Sequence, residues 1–191
     1  EDEAMRAMTM WVAAVALAWS ATASAVEVGG IRLDEKANVG GQELVLNGAG
    51  VRTRVFIKVY VASLWLPAKA SALSGVLAKG PRRVQMNLLR DLSADQLVNA
   101  LVDGLKDNNS EAELAAIKAQ VDQMVATMKA FNEVKEKDVV ALDFIDGATK
   151  ITLNGQAKTS IPGDAFNAAL MKVWLGDKPV QADLKKAMLG G

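Results

Sequence analysis

Three side chains close together in the chain could hold an anion: Arg52 offers a guanidinium, Lys58 an ammonium and Tyr60 a phenol. A guanidinium beside a phenolic hydroxyl, in otherwise apolar surroundings, suits an anionic or carbonyl oxygen. The same residues have a plainer reading, in which Arg52 and Lys58 extend from a half-exposed sheet into water and Tyr60 packs with its hydroxyl wet. The rest of the composition narrows the chemistry. The 191-residue chain has no Cys and no His, which excludes disulfides, thiol nucleophiles, Cys/His zinc sites and every acid–base pair built on imidazole. Gly48-Ala49-Gly50 lacks the third glycine and the following helix of a dinucleotide loop, and Lys58 follows no phosphate-binding turn. Ser63 and Ser160 have no base available except lysine. Asp143 and Asp146 read as a solvated turn rather than a calcium or acid–base pair, because no third oxygen ligand is spaced to help. No metal and no cofactor is expected.

The stretch that must position these side chains runs from Asn47 to Leu66. It begins in the glycine-rich Asn47-Gly48-Ala49-Gly50 and continues, rich in Val, Ile, Phe, Tyr and Trp, without a proline until Pro67. That composition predicts one long central strand after a turn. With a period of two, Arg52, Arg54, Phe56, Lys58, Tyr60, Ala62 and Leu64 share one face, and Val51, Thr53, Val55, Ile57, Val59, Val61 and Trp65 the other. A geometric condition follows. On an unbroken strand, eight steps separate the Cα atoms of Arg52 and Tyr60 by roughly 26 Å, too far for one oxygen to touch both. Either a bend or bulge between Thr53 and Phe56 folds Arg52 back, or only one of the two meets a ligand, with Lys58 as the substitute cation.

Around this stretch the chain reads as one domain behind a leader. Met5-Arg6, the apolar run Met8–Trp19 and Ala23-Ser24-Ala25 form a charged start, an apolar segment and a small-x-small cleavage site, so residues 1–25 are expected to be a secretory signal peptide. The protein is then exported, to the periplasm, as residues 26–191. The apolar run is shorter than the ~20 residues of a membrane span, and no transmembrane segment is expected after cleavage. Removing one arginine and three acids moves the net charge from 0 to +2, with no basic footprint for nucleic acid. Val26–Val28 and Ile31–Leu33 flank Gly29-Gly30 as a hairpin, followed by a loop from Asp34 to Gly41 and a short strand at Glu43–Leu46. Residues 68–80 allow one short helix, and Val84–Leu89 alternates as a strand. Ser93-Ala94-Asp95-Gln96 and Ser110-Glu111-Ala112-Glu113 have the capping-box pattern, each opening a helix. The second carries an apolar stripe from Leu114 to Phe131, including Met124 and Met128, that reads as core. Strands resume at Val139–Phe144, Ile151–Leu153 and on to Ile161, turning at Asp146-Gly147 and Asn154-Gly155. Pro162-Gly163-Asp164 starts a helix to Leu175, and a last amphipathic turn covers 182–189. Strands, two helices, strands and one or two helices, in that order, predict an α+β domain with helices on one face of a curled antiparallel sheet.

These residues also carry a resemblance. Gly48-Ala49-Gly50-Val51-Arg52, with Phe56-Ile57-Lys58-Val59-Tyr60-Val61-Ala62-Ser63-Leu64-Trp65-Leu66, resembles the arginine-bearing turn and following strand of the chalcone isomerase superfamily. Ile161-Pro162-Gly163-Asp164-Ala165-Phe166, Val173-Trp174-Leu175-Gly176-Asp177-Lys178-Pro179 and Leu184-Lys185 are similar to the closing segment of its bacterial, exported branch. The resemblance covers essentially all of residues 26–191 and implies an open-faced antiparallel β-sandwich with a layer of helices and a ligand cleft between the large sheet and the helices. Plant members close a chalcone to a flavanone, their arginine stabilising charge on the carbonyl side. Non-catalytic relatives bind fatty acids through an arginine and a tyrosine. Arg52 matches the family arginine, and Tyr60, within Lys58-Val59-Tyr60, matches the fatty-acid-binding branch where the plant enzymes have threonine. The plant tyrosine and asparagine of the first helix fall at Leu92 and Asn99 by spacing, or at Ser93 and Ala100 when the helix is shifted by one, so the tyrosine has no counterpart. Asn167, nine before Gly176, corresponds to a polar specificity position. The resemblance thus implies a non-catalytic binder of a small amphipathic acid, such as a fatty acid, with Arg52, Tyr60, Asn99 and Asn167 as ligand residues, to which the same-face geometry adds Lys58. An alternative is an isomerase acting on a phenolic enone, an aromatic ligand, with Arg52 and Tyr60 catalytic. A structural envelope protein with a vestigial cleft is a further alternative.

Overall fold

A computed structural model of the chain describes residues 25–191; the expected leader, apart from Ala25, lies outside them. The strands are β1 (Ala25–Val28), β2 (Ile31–Asp34), β3 (Lys36–Val39), β4 (Gln42–Arg54), β5 (Ile57–Leu66), β6 (Arg82–Leu88), β7 (Leu92–Ser93), β8 (Glu133–Val134), β9 (Val139–Ile145), β10 (Ala148–Leu153) and β11 (Gln156–Pro162). The helices are α1 (Leu73–Val76), α2 (Ala94–Asn108), α3 (Glu111–Ala116), α4 (Lys118–Lys129), α5 (Asp164–Leu175) and α6 (Ala182–Met188). A seven-stranded sheet in the order β11-β10-β9-β6-β5-β4-β3 is antiparallel at every step, and β1 and β2 form a separate hairpin. The architecture is the α+β, open-faced arrangement expected.

Both faces of the large sheet are covered, by different things. On one face Ala62, Leu64, Met86, Leu88, Val140 and Leu142 meet the helices through residues such as Leu101, Met124, Phe166 and Trp174. On the other, Val61 and Trp65 pack with Leu33, Val39, Leu44 and Leu46, with Val28 and Ile31 of the small hairpin beside them. The alternation from Tyr60 to Leu66 therefore does sort one core from the other. Both capping boxes close, Ser93 with Gln96 and Ser110 with Glu113, and fix where α2 and α3 begin.

Several expectations are corrected. The segment 34–41 is not all loop: Lys36–Val39 pairs with Gln42–Val45 around Gly40-Gly41 as an edge strand. Asn47-Gly48-Ala49-Gly50 is not a turn but the middle of β4, with a bulge at Asn47. Its glycines serve close approach instead, since a Cβ on Gly48 would stand 2.1 Å from the Ala187 carbonyl oxygen and one on Gly50 2.9 Å from the Ala187 Cβ. Helix α6 rests directly on β4 there, and Asn47 fastens it, donating to Ala70 and Met188 carbonyls and accepting from the Ala70 amide. The apolar stripe of 114–131 is two helices, broken at Ile117 (φ −113°, ψ 12°), although Met124 and Met128 are buried core as read. Asp143 is no solvated turn residue: it is buried in β9 and takes a two-pronged bond from Arg83 on β6, at 2.6 and 2.7 Å. Asp146 does occupy a turn, with Gly147. The largest correction concerns the long central strand. The chain reverses at Val55-Phe56, and β4 and β5 form an antiparallel hairpin.

Candidate functional site

The reversal meets the geometric condition on Arg52 and Tyr60. Arg52 of β4 and Tyr60 of β5 are direct cross-strand partners, so their side chains leave the sheet side by side. A bulge sharpens the arrangement: Arg52 pairs with Tyr60 and Thr53 with Lys58, leaving Val59 as the extra residue. One extra residue shifts the alternation by one. Arg52, Tyr60, Arg54 and Ile57 therefore face the helices, whereas Lys58 pairs with Thr53, is exposed and lies outside the cleft. The placing of Lys58 on the Tyr60 face is corrected on this ground.

The cleft occupies about 730 Å³ between the end of the β4–β5 hairpin, α2 and the segment after α5, within the roughly 300–1,000 Å³ range of small-molecule sites. Its inner wall is apolar: Val59, Met86, Leu97, Leu101, Gly104 and Val173. Gly104 permits this shape, because a Cβ there would stand 2.7 Å from Val173 Cγ1 where α2 crosses α5. Arg52 and Tyr60 stand at the sheet side of this wall, and charged residues edge it: Arg54, Arg90 and Lys178 against Asp103 and Asp107.

Tyr60 is buried and its hydroxyl accepts a hydrogen bond from Trp174 Nε1 at 3.2 Å. Among the described residues no acceptor takes the Tyr60 proton, which leaves the phenol as a donor toward the cleft. Burial pushes the phenol above its usual range, opposed by the indole N–H of Trp174 and the positive charge of Arg52, so it is protonated at neutral pH. Arg52 is held from the other side. Its guanidinium donates to the Thr53 carbonyl and, at 3.4 Å, to Gln181 Oε1. The Gln181 amide also accepts from the Thr53 amide at 2.9 Å and donates to the Val51 carbonyl at 3.2 Å. It thus satisfies the free edge of β4 as a neighbouring strand would, while orienting Arg52. No carboxylate neutralises Arg52 among the described ion pairs. A cation and a hydroxyl donor, adjacent at the side of an apolar cleft, can receive an oxyanion whose remainder is apolar.

The other sequence candidates separate. Asn99 lies on α2 at the cleft, exposed at its outer part. Asn167 is fully buried on α5 and lies outside the cleft. Its Oδ1 accepts from Arg82 Nε at 2.7 Å and its Nδ2 donates to Thr149 Oγ1 at 3.1 Å. Arg82 further donates to the Val76 and Ala78 carbonyls and stacks on Phe144, 4.2 Å from the ring centroid. Burial lowers the Arg82 guanidinium from its ordinary value, partly offset by the charge of Asp164. Asn167 thus belongs to a structural polar network, and its expected place beside the ligand is corrected. Trp174 and Gln181 were not singled out as site residues. Trp174 sat in a recognisable segment without a role, and a glutamine in a polar loop carries no signal that it will bind a strand 128 residues away.

The profile of the chalcone isomerase-like family matches residues 25–190. Among solved structures, an Arabidopsis thaliana fatty-acid binding protein superposes with a TM-score of 0.66 at 11% identity, covering 87% of this chain and 96% of that one. At that identity the likeness is one of fold. A search of curated protein sequences found no significant match.

Proposed function

The chain belongs to the chalcone isomerase-like family, and from that premise we propose that it binds a small amphipathic acid, such as a fatty acid, without transforming it. The carrying observation is the Arg52–Tyr60 cross-strand pair at an apolar cleft of about 730 Å³. The carboxylate accepts from the Arg52 guanidinium and the Tyr60 hydroxyl, and the alkyl chain lies along Val59, Met86, Leu97, Leu101 and Val173. Trp174 holds the Tyr60 oxygen from behind, so the phenolic proton points to the ligand. The fold shared with a fatty-acid binding protein supports the same reading. The leader pattern of residues 1–25 supports a periplasmic setting for this binding.

The test is titration of the protein with a fluorescent long-chain fatty acid and with the matching alcohol. The acid should bind more tightly, and Arg52→Ala should weaken the acid about tenfold or more while changing the alcohol little. A wild-type protein that takes up neither ligand refutes the reading. Turnover of a chalcone above the buffer rate, abolished by Arg52→Ala, would move the assignment to an isomerase.

A further inference from the structure

Among the described residues, all five two-residue hairpin turns place both residues at positive φ: Gly29-Gly30, Gly40-Gly41, Val55-Phe56, Asp146-Gly147 and Asn154-Gly155. Such turns favour Asn, Asp and Gly, and four of the five comply. The β4–β5 turn instead puts a β-branched residue at φ 49° and a phenylalanine at φ 64°, conformations that disfavour both. Packing does not compensate. Phe56 is 101% exposed, Val55 79% and Ile57 50%, and these are three of the four exposed large hydrophobic residues among those described. Local strain and exposed apolar surface coincide at one protruding tip.

The surroundings of the tip are cationic. Exposed Arg54 and Lys58 flank it directly, with Arg90 also exposed at the cleft beneath. From Val45 to Leu66 the hairpin contains no acidic residue, and the nearest acids lining the cleft, Asp103 and Asp107, lie on α2. Val55 and Ile57 also form part of the cleft's rim, so the tip and the opening are continuous.

We propose that the Val55-Phe56-Ile57 tip is a lipid-docking finger that inserts into an anionic bilayer, with Arg54 and Lys58 against the headgroups, and so sets the cleft at the membrane surface. A convex tip of three side chains is far smaller than the ~800 Å² per partner of a stable protein interface. A few apolar residues ringed by cations are enough for reversible attachment to an anionic surface. Docking stands on the tip alone. Its use as an entry route for an acid leaving the bilayer rests on the ligand reading above, and separate assays distinguish failure of one from failure of the other.

The full chain is tested by co-sedimentation with vesicles of phosphatidylcholine containing phosphatidylglycerol, and with phosphatidylcholine alone. Residues 1–24 are common to every protein compared, so differences report the tip. Phe56→Gly keeps the turn, since glycine suits φ 64°, and should lower partitioning onto anionic vesicles about tenfold or more. Its fatty-acid affinity in solution should not change, because the Phe56 ring lies outside the cleft lining. Lys58→Gln should lower partitioning about fivefold, an effect absent on phosphatidylcholine. The sequence has no cysteine, so Phe56→Cys carries a single environment-sensitive label, with Lys158→Cys as control. The label at 56 should shift to the blue on anionic vesicles and the one at 158 should not. Equal partitioning of wild type and Phe56→Gly, with the label at 56 remaining in water, overturns the proposal. So does a concentration-dependent dimer that Phe56→Gly abolishes in the absence of vesicle binding, which would assign the tip to a second copy.

Discussion

Replacing Tyr60 by phenylalanine removes a single oxygen that serves two partners. In the empty protein it is the acceptor for Trp174 Nε1, on a side chain with 0% exposure. Phenylalanine keeps the ring packed and strands the indole N–H, a desolvation penalty of roughly 1–3 kcal/mol. For a domain of this size that corresponds to a fall in Tm of about 2–12 °C. In the proposed complex the same oxygen donates its proton to the ligand carboxylate. A hydrogen bond to a charged group contributes about 1.5–3 kcal/mol, so the Kd for a fatty acid should rise by roughly 10–150-fold. Arg52→Met separates the two effects. Arg52 is only half-buried and its loss leaves Trp174 bonded, so acid affinity should fall with a smaller change in melting temperature. Thermal melts of the empty proteins and displacement of a fluorescent fatty acid read both quantities. If Tyr60→Phe melts with wild type and binds the acid equally well, neither role of the hydroxyl survives.

Three further outcomes follow from the same geometry. Gly48→Ala should destabilise by at least the ~1–3 kcal/mol of an overpacked site, because its Cβ meets the Ala187 carbonyl at 2.1 Å and backbone cannot swing aside; a urea midpoint unchanged from wild type would contradict the packing of α6. Asn167→Ala should lower stability by roughly 1–3 kcal/mol by leaving Arg82 Nε and Thr149 without their partner, while fatty-acid affinity stays at the wild-type value; a selective loss of binding would restore Asn167 to the site. Glu113 is depressed to about 2 from 4.5, first by the Ser110 backbone amide and then by Lys172 and the Ser110 hydroxyl. Its folded value lies below its unfolded one, so its stabilisation is full above about pH 4.5 and is lost as pH falls toward 2. Urea midpoints of Glu113→Gln should therefore converge on wild type across that window and differ above it.

Much of the fold was legible because its local chemistry agrees with its tertiary structure. Gly29-Gly30, Asp146-Gly147 and Asn154-Gly155 announce hairpins that exist, and Ser93 and Ser110 announce the starts of helices that exist. Short β3 was missed because Lys36-Ala37-Asn38-Val39 is a four-residue edge segment with a single β-branched residue, too short for its alternation to read as a strand. Asn47–Gly50 was misread because glycine serves two ends, positive φ in a turn and close approach in a strand, and only the position of α6 distinguishes them. Asn167 was a site candidate through the resemblance, by its spacing to Gly176, and spacing does not reveal which cavity a side chain faces. Burial beside Arg82 settles that.

By itself the sequence excluded the chemistry that needs His or Cys and named the polar groups from which the proposed site is built. With no His and no Cys, Arg52, Lys58 and Tyr60 were left as polar candidates within a β-favouring stretch, and the resemblance carried by their flanking residues singled out Arg52 and Tyr60. Only the tertiary structure decided that the two meet. The reversal lies at Val55-Phe56, where every local preference argues for a continuing strand. It forms because nine paired positions between β4 and β5, and the burial of both strands in the sheet, outweigh the strain of two residues. The bulge at Val59 then turns Tyr60 toward Arg52 and leaves Lys58 on the other face. Such long-range pairing is absent from local sequence, because its energy resides in contacts between strands rather than in the residues of the turn.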